Sequence, residues 1–115
     1  MSSVDLFAGI HVGDYDAATD WYTRVLGAEP AFRPNAIEAV WELAEHRYLY
    51  IRRNPEHAGH AVQTVLVDDL DARVEAIAAR GVEPAYREEY PNGARKVVYR
   101  DADGNELGFG AVNAG

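Results

Sequence analysis

The chain has 115 residues, 48% of them apolar and 26% charged, a composition that fits one globular domain. A formal net charge of −8 argues against the basic face that phosphate binding needs, so no nucleic acid partner is expected. The absence of cysteine excludes disulfides, thiolate metal sites and a cysteine nucleophile, and no apolar run reaches membrane-spanning length, so no membrane partner is expected either.

The first stretch, "VDLFAGIHV", alternates. Val4, Leu6, Ala8, Ile10 and Val12 form one wholly apolar face, predicted to pack on a helix, and Asp5, Phe7, Gly9 and His11 form the other. No basic segment precedes it, and cytoplasm is the expected compartment. The acidic "GDYD" then opens an amphipathic helix with Ala17, Trp21 and Val25 that stops at Gly27. Three strand-like runs follow, "EPAFR", "IEAVWELA" and "RYLYIRR", up to a seam at "NPEHAGH", residues 54–60.

Beyond the seam the same order returns. "HAVQTVLV" reads as a strand, "DDLD" as a cap and "LDARVEAIAAR" as a helix closed by Gly81. "EPAYREE", "ARKVVYR" and "NELGFGAV" read as strands, with hairpin signals at Asn92-Gly93 and Asp103-Gly104. The return is a repeat: Val12, Asp14, Asp16 and Ala17 recur as Val67, Asp69, Asp71 and Ala72. Glu29, Pro30, Ala31 and Phe32 recur as Glu83, Pro84, Ala85 and Tyr86. The expected architecture is α+β, one domain over 1–115 built from two tandem βαβββ modules, about 1–54 and about 60–113.

The two modules, the first-helix pattern of "VGDYDAATDWYTRVLG" and the terminal "DADGNE" turn together resemble the vicinal oxygen chelate superfamily, the glyoxalase, bleomycin-resistance and extradiol-dioxygenase group. The resemblance spans essentially the whole chain. It implies curved mixed sheets around a concave cavity and, in most small members, a homodimer.

Metal-using members carry His or Glu at one inward position on each of four strands. Counted from the motifs, those positions fall on Phe7, Tyr50, Val62 and Gly108, none of them a usual ligand for a divalent ion. No metal and no cofactor are therefore expected. His11, His60 and Glu106 share the inward parity but lie off that frame. They are the basis of an alternative, a metal-dependent lyase, isomerase or dioxygenase.

By parity Phe7, His11, Tyr48, Tyr50, Thr64 and Glu106 face the cavity, with Gly9, Gly108 and Gly110 leaving volume and Glu106 as a wall or rim acid. Trp41 and Tyr99 are equivalent across the repeat, and Tyr90 flanks a turn at the expected cavity mouth. Aromatic walls with a few polar tips suit flat or cationic small molecules. Serine-triad spacing, phosphate loops and dinucleotide glycine patterns are absent from the sequence. The expected protein sequesters an aromatic or cationic compound without a metal, in the manner of a resistance protein. His11 is the one acid/base candidate if it is an enzyme instead.

Overall fold

The computed structural model describes residues 3–112. The first module runs β1 (Leu6–Val12), α1 (Tyr15–Leu26), β2 (Phe32–Asn35), β3 (Glu38–Ala44) and β4 (Arg47–Arg53). The second runs β5 (Val62–Leu66), α2 (Leu70–Ala79), β6 (Tyr86–Glu89), β7 (Arg95–Arg100) and β8 (Glu106–Ala111). The seam between them holds a single turn of 3-10 helix, Pro55–His57, which the sequence pattern does not announce. The expected end of the second module, residue 113, lies outside the described residues.

Both helices start for the same reason. Asp14 and Asp69 are N-caps whose carboxylates accept from the backbone N–H three residues on, at Ala17 and Ala72. α1 stops at Gly27, whose φ of 78° is the left-handed conformation that glycine adopts freely. Each module folds into a four-stranded sheet, ordered β1-β4-β3-β2 and β5-β8-β7-β6. In both, the first strand pairs parallel to the last and the remaining pairs are antiparallel.

One contiguous core joins the modules. Ile10, Val12, Trp41, Leu49 and Ile51 of the first sheet cluster with Tyr22 and Val25 of α1. Val97, Tyr99, Leu107 and Phe109 of the second cluster with Leu70 and Ile77 of α2. The apolar face of β1 is buried only in its second half, contrary to the expectation for the whole strand. Val4 is 83% and Leu6 65% exposed, because Leu6 and Ala8 front a crevice of about 420 Å³ shared with β5.

The "DADGN" turn between β7 and β8 clasps the two modules together. Asp101, 8% exposed, accepts the hydroxyl of Tyr22 from α1 on one oxygen and the backbone N–H groups of Asp103 and Asn105 on the other. Asn105 donates to the carbonyl of His11 on β1 and to Asp101, and accepts from the N–H groups of Gly59 and Ala61 in the seam. Asp103 accepts from the N–H of Gly13. At the opposite end Arg80 of the second module donates to the last carbonyls of α1, Arg24 and Val25. Burial pushes the Tyr22 phenol far above its ordinary range, and the Asp101 charge adds to the shift, so the tyrosine donates to the carboxylate throughout the physiological range. Among the described residues no helix is long and apolar enough to cross a membrane.

Candidate functional site

Each sheet has one face packed on its helix and one open face, and residues paired across neighbouring strands share a face. In the first sheet the open face carries three rows: Phe7, Tyr48 and Glu42; Gly9, Tyr50 and Val40; His11, Arg52 and Glu38. In the second the rows are Val62, Glu106 and Arg100; Thr64, Gly108 and Val98; Leu66, Gly110 and Lys96. A shift of 55 residues carries β1 onto β5, and 58 carries β3 and β4 onto β7 and β8, row for row. The faces are therefore homologous positions filled with different chemistry.

The first row of the first sheet is aromatic. Phe7 and Tyr48 stack in parallel, ring centroids 4.4 Å apart at 8°, and Phe7 is 46% exposed. The Tyr48 hydroxyl donates to Glu42 at 3.3 Å. Desolvation and the carboxylates of Glu42, Asp5 and Glu45 push its phenol up, so the stack is neutral with an acidic rim.

The matching row of the second sheet is ionic. Glu106 accepts from the Tyr86 hydroxyl at 2.8 Å and pairs with Arg100 at 3.0 Å, and the Arg100 guanidinium lies over the Tyr86 ring. The hydrogen bonds from Tyr86 and Arg100 hold the Glu106 carboxyl below its ordinary value.

The middle rows correct one expectation. The glycines leave no volume, because neighbouring side chains lie over them. A Cβ on Gly9 would sit 2.7 Å from the ring tip of Tyr50, so that ring is folded down onto the strand. A Cβ on Gly108 would meet the Lys96 stem at 3.4 Å, and one on Gly110 would meet Leu66 at 3.2 Å.

Other expected site residues separate by face. Thr64 is exposed on the open face, and Tyr90 is 41% exposed with its hydroxyl on Glu88. His11 is half-buried, its ring centroid 6.0 Å from that of His57. Trp41 and Tyr99 lie on the helix-packed side instead. Trp41 is 2% exposed and donates to the Ala28 carbonyl; Tyr99 is 0% exposed, with a hydroxyl that finds no partner among the described residues. Both are core residues and cannot touch a compound on the open face.

Metal chemistry does not fit these residues. The positions that the resemblance gives to metal ligands hold Phe7, Tyr50, Val62 and Gly108, which supply one phenol and no imidazole or carboxylate. Of the alternative set, Glu106 is already engaged by Tyr86 and Arg100, and no three His, Asp or Glu among the described residues group as ligands.

Sequence reasoning missed Tyr86, Lys96, Arg100 and Glu42. A signal for Lys96, Arg100 and Glu42 existed: the offset of 58 that relates Tyr48 to Glu106 also relates Glu42 to Arg100 and Glu38 to Lys96.

Residues 4–109 match the family model described as the Glyoxalase/Bleomycin resistance protein/Dioxygenase superfamily. A crystal structure of a glyoxalase / bleomycin resistance protein from Catenulispora acidiphila DSM 44928 is 57% identical, with TM-score 0.93, covering 96% of this chain and 100% of that one. A bleomycin-binding protein complexed with bleomycin is 18% identical, with TM-score 0.76, covering 95% and 98%. A lactoylglutathione lyase from Agrobacterium tumefaciens is 19% identical, with TM-score 0.73, covering 96% and 95%. The last two likenesses show the fold alone. Among curated proteins, none matches the chain.

Proposed function

The chain belongs to the Glyoxalase/Bleomycin resistance protein/Dioxygenase superfamily, and on that premise we propose that it is a metal-free binding protein that sequesters a flat aromatic compound on its open sheet faces. The exposed Phe7–Tyr48 stack carries this reading. Two parallel rings presented to solvent form a platform for a third, and base-like stacking of this kind is worth about 1–3 kcal/mol per ring. The Glu42, Asp5 and Glu45 carboxylates near Tyr48 favour a compound with positive charge at its ring end. A bleomycin-bound protein of the same fold is in keeping with a binding role, and the role proposed for this chain is sequestration in the cytoplasm.

The working form is a homodimer. Phe7, Phe32, Val62 and Leu66 leave an exposed apolar surface across the open faces that a second copy would cover, closing a cavity over the ligand.

The test is a fluorescence titration with proflavine, a planar aromatic cation, in the presence of EDTA. Emission of the dye is the readout, since Trp41 is sealed in the core. Saturable binding that Phe7→Ala weakens by about tenfold is expected, the loss of one stacking partner. Binding that requires an added divalent ion would restore the metal-dependent lyase, isomerase or dioxygenase reading.

A further inference from the structure

On β8, Gly108 carries no side chain, and the side chain lying over it belongs to Lys96. The Lys96 stem passes at the 3.4 Å that a Gly108 Cβ would need, and the side chain is 23% exposed. Its ammonium sits 3.9 Å from the Glu88 carboxylate, too far for a hydrogen bond, and Glu88 also accepts from the Tyr90 hydroxyl. Glu106, the other acid that feels Lys96, is engaged by Tyr86 and Arg100. The ammonium therefore keeps its three donors unspent among the described residues. The apolar Val98, 1% exposed, lies beside the stem and Leu66 covers the neighbouring Gly110, so the charge stands on an apolar floor.

We propose that Lys96 is the fixed cation of the second sheet's open face, and that the compound held there carries an anionic oxygen, a carboxylate, sulfonate or phenolate. A charge-assisted N–H···O bond from an ammonium with free donors is about twice as strong as a neutral one. The first-module counterpart of Lys96 is Glu38, an acid, so the two sheets differ in charge at this position. This inference rests on the binding function proposed above.

Two dyes separate the two claims. The probes are 8-anilinonaphthalene-1-sulfonate, an aromatic anion, and proflavine, titrated against the wild-type protein, Lys96→Met and Lys96→Arg at low and moderate salt. Methionine keeps the apolar stem over Gly108 and removes the charge; arginine keeps the charge. The expected result is a loss of about tenfold in affinity for the sulfonate in Lys96→Met, recovery in Lys96→Arg, and proflavine binding unchanged. Sulfonate binding that depends on Phe7 but stays within twofold in Lys96→Met would overturn the role of Lys96 and leave the binding function standing. Failure of both dyes to bind the wild-type protein would overturn both. Thermal unfolding confirms that each variant is folded before it is titrated.

Discussion

Replacing Asn105 with alanine tests whether the "DADGN" turn is a clasp between modules or an ordinary hairpin end. Asn105 is 1% exposed and its amide makes four hydrogen bonds: donors to the His11 carbonyl and to Asp101, both 2.8 Å, and acceptor bonds from Gly59 at 3.1 Å and Ala61 at 3.0 Å. Alanine removes all four and leaves the His11 carbonyl and two seam N–H groups to find water. Each lost bond costs about 0.5–1.5 kcal/mol, and a buried group left unpaired costs about 1–3 kcal/mol. With two partners half-accessible in the seam, the sum is about 3 kcal/mol. For a domain of this size that corresponds to a fall in Tm of roughly 10 °C or more. Circular dichroism during thermal and urea unfolding reads the change, with an unaltered urea slope as the sign that only stability moved. Asp103→Ala is the control: it loses one exposed bond to Gly13 and should shift Tm far less. Equal, small shifts in both variants would refute the clasp.

Further expectations follow from the tyrosines, the Glu106 pair and the Gly9 contact. Tyr99→Phe removes a buried hydroxyl that has no partner and is expected to be neutral or stabilising, whereas Tyr22→Phe strips a donor from Asp101 and costs about 1–2 kcal/mol in urea unfolding. The Glu106 carboxyl is held below its ordinary value of 4.5, so its pairing stabilises the fold fully above that pH and the contribution vanishes as pH falls through the lowered value. Tm measured from neutral to acid pH for wild type and Glu106→Gln should show a gap that closes on acidification; a constant gap would mean the carboxylate does not contribute through its charge. Gly9→Ala places a methyl where the Tyr50 ring tip lies; because that contact is the far end of a side chain at an exposed strand position, a moved tyrosine ring with a stability change of no more than about 1 kcal/mol is expected from aromatic NMR shifts and unfolding.

Much of this architecture was legible because it depends on local periodicity. Alternation along β1 and β8 placed Phe7, His11 and Glu106 on the open faces of their sheets, since the strand pleat sets that parity. The self-match at Asp14 and Asp69 marked both helix starts, because a cap needs only its own neighbours. What failed depends on neighbours far along the chain. Parity cannot say that Tyr50 folds over Gly9 or that Lys96 lies across Gly108, so the glycines looked like open space. Trp41 and Tyr99 are equivalent across the repeat, yet the face they share is the helix-packed one, which the pairing of Trp41 with Leu49 and of Tyr99 with Leu107 sets. The turn residues Asp101 and Asn105 carried a hairpin signal; their contacts with Tyr22, His11 and the seam exist only once the modules meet.

The binding claim is tested most directly by equilibrium dialysis of the purified protein against proflavine, with and without EDTA and with and without added zinc or nickel. The expected result is saturable uptake that is indifferent to chelator and to metal and is weakened by about tenfold in Phe7→Ala. Uptake that appears only with added metal, or that Phe7→Ala leaves unchanged, would contradict it.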